Sequence, residues 1–282
     1  MNQGSEDAID RAGTSRAECV LAPNPGLMTL NGTNTWLIAE PGSPTALVVD
    51  PGPDDEAHLR RVAARAGAAG RRIVRILLTH GHLDHSAGAG RLAELTGAPI
   101  AAADPQLRRG DDSGLAPGDV LTDAGCEVRV VAAPGHTADS VCLLLPADGA
   151  LLTGDTVLGR GTTVIAEDGD LGDYLATLDR LRALADQAQL GMLLPGHGPL
   201  LADPAAVLDF YIAHRRDRLA EIRAALDAGD RTEQQIVARV YADVDQALWP
   251  FARWSVQAQL RYLAARGELP PGLSGADGSG GT

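Results

Sequence analysis

The segment RIVRILLTHGHLDH, residues 72–85, constrains this chain more than any other. Its first half is rich in Ile, Val and Leu and reads as a buried strand. Its second half sets three histidines and an aspartate within six residues, where the strand runs into a glycine-containing loop. His80 and His82 are two apart at the strand end, so both imidazoles can reach one point as the chain leaves the sheet. Asp84 and His85 follow in the loop and can address a second point close by. Neutral imidazole and carboxylate are the ligand types zinc takes, at about 2.0–2.2 Å.

Three later segments repeat the arrangement. AAPGHT (132–137), LTGDT (152–156) and LPGHG (194–198) each place one ligand-type residue just after an apolar strand: His136, Asp155 and His197. Each has a glycine beside the ligand, which permits a tight turn near a metal. Any one of them alone reads as an ordinary turn. Together they describe an α/β scaffold that delivers ligands from the ends of separate strands.

The rest of the chain fits that scaffold. TNTWLIAE and TALVVD read as strands joined by the turn PGSP. DDEAHLRRVAARAG reads as a helix capped by Asp54 or Asp55. SAGAGRLAELTG reads as a short helix and APIAAA as a strand. EVRVVAAPGH, SVCLLLP and GALLTGD give three more strands, LGDYLATLDRLRALADQ an amphipathic helix, and LGMLLPGH a last strand. Beyond about residue 203 the pattern turns helical. There Ile236, Val240 and Tyr241 form one apolar face, and Val256, Leu260 and Leu263 another. The expected organisation is a flexible arm (1–18), an α/β domain (19–203), a helical module (204–270) and a disordered tail (271–282).

Composition narrows the function classes. The net charge of -13 disfavours a general polyanion binder, although a local cationic site would override it. The three cysteines, Cys19, Cys126 and Cys142, form no CxxC pair, so neither a disulfide framework nor a thiolate zinc site is indicated. Cys126 and Cys142 fall on expected strands and read as buried. No apolar run approaches a membrane span, and a cytoplasmic protein is the expectation.

The order HxHxDH, then His136, Asp155 and His197, resembles the metallo-β-lactamase superfamily. The resemblance covers roughly residues 20–200. It implies an αββα sandwich with a two-metal site on one edge. It assigns His80, His82 and His136 to one zinc, Asp84, His85 and His197 to the other, and Asp155 as a bridge. Di-iron relatives carry Glu where this chain has His82, so zinc is favoured over iron or manganese. NPGLMTLNGTNTWLI, LGRGTTVI, PGHGP and IAHRRDR are similar to the β-lactamase-like protein 2 group. That group carries a winged-helix-like C-terminal module, and its members include a single-stranded RNA endoribonuclease and enzymes releasing polyketides from acyl carriers. Many relatives read PGHTxxH where this chain reads PGHTADS, with Ser140 in the last position.

The resemblance implies a dinuclear hydrolase in which a hydroxide bridging the metals attacks a carbonyl carbon or a phosphorus. Asp84 would orient that hydroxide while serving as a ligand. The substrate is a small-molecule acyl compound (thioester, ester or lactam) or a phosphodiester, with single-stranded RNA one option. A regulator using metal only to hold its fold, and an iron oxidoreductase, remain alternatives. The GRGTT stretch (159–163) either contacts substrate or is a plain polar loop. The helical module is expected to pack over the cleft, shape its entrance or support a homodimer. His58 is expected at a surface or boundary, and Arg215, Arg216 and Arg218 on a solvated helix face.

Overall fold

The computed structural model describes residues 9–111, 114–270 and 273. These residues fall into two compact units. The first takes in the chain as far as Ala133 together with Asp139–Thr163 and Arg182–Val207. The second comprises Pro134–Ala138, Val164–Leu181 and the chain from Leu208 onward.

Both sheets lie in the first unit. One runs β1 (Ala17–Leu21), β2 (Asn34–Ile38), β3 (Thr45–Val49), β4 (Arg72–Leu77) and β5 (Ile100–Ala101), in that spatial order. β1, β2 and β3 pair antiparallel, and β3, β4 and β5 parallel. The parallel steps need crossovers, supplied by α1 (Glu56–Ala68) and a following short helical region. That region contains the single turn α2 (Leu83–Ser86) and α3 (Ala89–Thr96). The other sheet is ordered β11 (Leu201–Ala202), β10 (Met192–Pro195), β9 (Ala150–Gly154), β8 (Val141–Leu145), β7 (Val128–Ala132), β6 (Val120–Leu121). This is the two-sheet α/β architecture expected from the sequence, with β1, β6 and β11 added.

Period-two alternation sorts the first sheet's side chains onto two faces. Trp36, Ile38, Leu47, Val49 and Leu77 point into a core shared with Val130, Leu143, Leu152 and Leu194 of the second sheet. Leu37, Val48, Ile73 and Ile76 point the other way, against Leu59, Val62 and Ala66 of α1 and Leu92 of α3. Asp55 caps α1, accepting from the His58 backbone N–H at 2.8 Å. Cys19, Cys126 and Cys142 are buried free thiols.

The arm expected over residues 1–18 needs correction in its described part. Ile9 is buried, Asp10 accepts from Leu21 N at 3.0 Å, and β1 already begins at Ala17. Arg16 pairs with Glu40 and with Asp148, each at 2.6 Å, so one guanidinium ties the two sheets together. The polar composition read as solvated; each of these polar groups instead has a partner. Residues 1–8 of the arm, and the expected tail at 271–282 apart from Leu273, lie outside the described residues.

His58 also differs from expectation. It is 2% exposed, with Nε2 3.0 Å from Thr35 Oγ1 and Nδ1 3.3 Å from an Arg61 nitrogen. The apolar face of α1 that carries Leu59 and Val62 takes His58 inward with it.

Helix α4 (Leu171–Gln187) runs from the second unit into the first, and α5 (Pro204–Asp227) from the first into the second. The second unit continues with α6 (Glu233–Val240) and α7 (Trp249–Ala265). Thr232 and Gln235 close a capping box at the start of α6. Ile236 and Val237 are buried there, and Val256, Leu260 and Leu263 on α7. Val240 and Tyr241, expected to share the apolar face, are half-buried. The arginines of α5 do not all face solvent. Arg215 is buried with its guanidinium 5.0 Å from the Tyr174 ring centroid, and Arg218 lies 4.8 Å from that of Tyr241. Arg216 is the exposed one. No helix among the described residues is long and apolar enough to cross a membrane.

Burial, then the charge of Arg61, depresses the His58 imidazole to about 4, with Asp55, a hydrogen bond to the Pro51 backbone and Asp10 opposing. The unfolded chain protonates His58 near pH 6.5 and the folded chain only near 4. Stability is therefore full above pH 6.5 and falls as pH drops toward 4, by about 3 kcal/mol over that window. Urea unfolding at stepped pH should show a shallower acid loss in His58→Gln than in the wild type. Equal slopes would exclude His58 as the responsible group.

Candidate metal centre

The parallel strands β4, β9 and β10 end on one side of the first unit, and the chain leaves each of them through a ligand-bearing loop. After β4, Leu78 and Thr79 remain buried and His80 follows at 2% exposure. The single turn α2 then folds back: His85 N donates to His82 O at 3.0 Å and Ser86 Oγ to Gly81 O at 2.9 Å. This turn aims Asp84 and His85 at the same region as His80. Asp155 directly follows β9, and His197 comes two residues after β10.

Four of the expected ligands meet closely. His85 Nε2 lies 3.1 Å from His197 Nε2, 3.3 Å from Asp155 Oδ1 and 3.6 Å from Asp84 Oδ2. His197 Nε2 lies 3.1 Å from Asp84 Oδ2 and 3.4 Å from Asp155 Oδ2. Donor atoms of His80, His85 and Asp155 fall within 4.8 Å of one another, as do those of Asp84, His85 and His197. The His80 and His82 rings are 4.7 Å apart between centroids. Asp155 thus stands among His80, His85 and His197. His136 belongs to the second unit, on the loop joining β7 to β8, where its Nδ1 meets Val164 O at 2.9 Å.

The hydrogen bonds behind the rings fix which nitrogen faces the cluster. A carbonyl can only accept, so His197 Nδ1–H donates to Gly32 O at 3.1 Å. His85 Nδ1–H donates to Asp50 Oδ2 at 2.9 Å. Thr79 Oγ1 donates to Asp50 Oδ2 at 2.6 Å and so accepts from His80 Nδ1 at 3.0 Å. In each case Nε2 is left as the ligand atom, and support of this kind is what orients metal-binding histidines.

The donor set fits a divalent cation. Four ligands at about 2.0–2.1 Å around a tetrahedral ion stand roughly 3.3 Å apart, close to the separations found here. Electrostatics point the same way. Burial works against charge on every member of the cluster. Even so, Asp155 and Asp50 hold the His85 imidazolium well above its usual range, and Asp155 and Asp84 lift His197 to about 9. The facing histidines in turn hold Asp155 well below, and Asp84 below, the usual carboxylate range. Two carboxylates this close together, one of them largely buried, demand positive charge. Protons on the imidazoles answer that demand, and a metal ion at the same point answers it equally.

Several supporting residues went unassigned in the sequence. Asp50, 1% exposed, underlies both His80 and His85. Its signal was available, because VVDPG is another carboxylate between an apolar strand and a glycine. Thr33 Oγ1 donates to the Asp84 carbonyl at 3.0 Å. Asn34 Nδ2 donates to Pro195 O at 2.9 Å and Gly198 O at 2.8 Å, clamping the loop that carries His197. Thr163, considered as a substrate contact, is buried and donates to the Asp155 carbonyl at 2.7 Å. Ser140 is buried, with its carbonyl accepting from Ala133 N at 3.0 Å.

Two sheets whose strand ends gather histidines and aspartates in this way define a metal-binding α/β protein. The chain belongs to the metallo-beta-lactamase superfamily, whose pattern matches residues 28–197. Residues 232–268 match the beta-lactamase associated winged helix domain. The chain is 32% identical to the beta-lactamase-like protein 2 homolog of Drosophila melanogaster, over 91% of this chain and 90% of that one. It is 31% identical to the lactamase-like protein adaB of Aspergillus niger, over 82% and 76%. A metallo-beta-lactamase family protein from Thermus thermophilus shares the fold at TM-score 0.73 and 22% identity, over 89% of this chain and 94% of that one. Members of this superfamily are generally hydrolases.

Gly196 tests how tightly the centre is packed. A Cβ there would lie 2.6 Å from Asp155 Oδ1 and 2.7 Å from His85 Cε1. Gly196→Ala should displace both ligands, costing about 1–3 kcal/mol of stability. It should also leave the protein with less bound metal after dialysis, read by elemental analysis, while circular dichroism stays native-like. Undiminished metal content would show that the loop has room to yield.

Proposed function

We propose that this chain is a dinuclear zinc-dependent hydrolase acting on a phosphodiester or on an acyl substrate such as a thioester, ester or lactam. The observation that carries the reading is the convergence of His80, Asp84, His85, Asp155 and His197, with the imidazole Nε2 atoms turned inward. The reading assigns His80, His82 and His136 to one metal, Asp84, His85 and His197 to the other, and Asp155 to both. His136 enters on its place in the ligand order and within the family match, and its Nδ1 contact with Val164 O leaves Nε2 as its ligand atom. The nitrogen-rich set favours zinc over iron or manganese.

Bound metal supplies Lewis acidity toward the substrate's carbonyl or phosphoryl oxygen and lowers the pKa of water to about 7. The chain's residues do the rest. Asp50 and Thr79 hold His80 and His85 in the tautomer that binds metal. Asp84, with 29% of its side chain exposed against 12% for Asp155, is the carboxylate that reaches toward solvent. It orients the attacking water while serving as a ligand. The leaving group takes its proton from solvent.

Elemental analysis of the purified protein comes first, with about two zinc ions per chain expected. The zinc-loaded protein is then offered single-stranded RNA, a thioester and a chromogenic cephalosporin. Turnover of one class names the substrate, and Asp84→Asn should lower kcat by about a hundredfold or more with folding retained. Stoichiometric iron would move the reading to an oxidoreductase. Full metal loading without turnover of any probe would overturn the hydrolase and leave a regulator held together by its metals.

A further inference from the structure

A buried polar chain behind the metal centre ends on a residue outside it. Asp50 directly follows β3 in the left-handed region, at φ 51°. Aspartate tolerates that conformation better than most residues, but it is held there rather than preferred. The backbone N–H of Asp50 donates to Leu77 O at 2.9 Å. Its carboxylate receives Thr79 N at 2.8 Å, Thr79 Oγ1 at 2.6 Å and His85 Nδ1 at 2.9 Å. Its carbonyl accepts from Thr35 Oγ1 at 2.8 Å.

The Thr35 hydroxyl has one proton, and that proton goes to the Asp50 carbonyl. Toward His58 Nε2, 3.0 Å away, Thr35 can therefore only accept, so the imidazole carries its proton on Nε2. Nδ1 is then a lone pair, which matches the donor facing it, an Arg61 nitrogen at 3.3 Å. Arg61 also donates to the Leu21 carbonyl. Thr35 and His58 are 0% and 2% exposed, so no solvent competes for these bonds. Gly52, at φ 86°, lies beside them, its Cβ position in ordinary contact range of His58 Nε2 (3.4 Å) and Thr35 Oγ1 (3.5 Å).

We propose that His58, through Thr35, is a positioning residue for the metal centre: it locks the Thr35 hydroxyl onto the Asp50 backbone and so fixes the carboxylate that orients His85 and, through Thr79, His80. Without the imidazole, the Thr35 oxygen loses the donor that holds its rotamer. Its bond to the Asp50 carbonyl, which has no other side-chain donor among the described residues, is then less firmly held, and with it the left-handed φ at Asp50. The aim of the carboxylate loosens with it. His58 touches neither substrate nor metal; it acts on ligand geometry alone. The inference rests on the metal reading above.

The test uses the full-length metal-free protein and zinc alone, titrated against a chelator of known affinity. The absorption spectrum of the cobalt-substituted protein serves as a second readout. Supports of this rank typically change metal affinity by about 10–100-fold. His58→Ala and Thr35→Val should weaken zinc by about tenfold and shift the cobalt bands. His58→Gln keeps an N–H donor and Thr35→Ser keeps the hydroxyl, and both should return affinity and spectrum toward wild type. Val62→Ala, in the apolar face of the same helix, controls for lost stability and should leave both readouts unchanged. Wild-type zinc affinity in His58→Ala, or a Val62→Ala defect as large, would overturn the positioning role and leave the metal centre standing. A wild-type protein that takes up no zinc would overturn both.

Discussion

Asp50 carries the candidate centre. Its carboxylate is buried at the end of β3, where it accepts from Thr79 twice and from His85 once. An isolated carboxylate at that depth would be far too costly to keep charged. Here it is tolerated because every contact comes from a donor: Thr79, which stands behind His80, and His85, both histidines being candidate metal ligands. The negative charge makes His85 a better base on the opposite nitrogen, the one turned toward Asp155 and His197. The crossover from β3 through α1 to β4 brings Asp50 and Thr79 together and gives the turn at 83–86 a fixed point to pack against.

The second set of ligands is held by a different device. β2 begins with Asn34, preceded by Thr33, and these two side chains reach the carbonyls of residues 84, 195 and 198. They grip backbone rather than ligand side chains, which fixes where the loops run and leaves the ligands to be aimed by tight turns. Gly196 serves this arrangement, since a side chain there would occupy the space of Asp155 and His85. Thr163 does the same for the loop after β9. The centre is therefore set by backbone clamps on three loops and one charged anchor, Asp50, under the first of them.

Much of this was legible in the sequence because the ligands are chemically conspicuous. Histidines and aspartates after apolar runs, each next to glycine, can be found without any contact information. The main strands and helices were legible through period-two and period-3.6 patterns. What the sequence hid were residues whose role depends on a partner far along the chain. Thr33, Asn34 and Thr163 are ordinary polar residues until the carbonyls they hold are brought near. His58 looked like a surface or boundary residue of its helix, yet the Thr35 hydroxyl waiting for it lies on strand β2. Arg16 looked like part of a solvated arm, because the carboxylates of Glu40 and Asp148 are 24 and 132 positions away. Short edge strands such as β6 and β11, two residues each, carry too little pattern to announce themselves.

The ligands come from both sheets: His80 and His85 follow β4 of one, Asp155 and His197 follow β9 and β10 of the other. A cation held there would be a rivet through a seam: part of its binding energy would go to keeping the two layers closed at that end. The folded chain would gain stability as free metal rises above its dissociation constant, and loss of the metal would remove that closure.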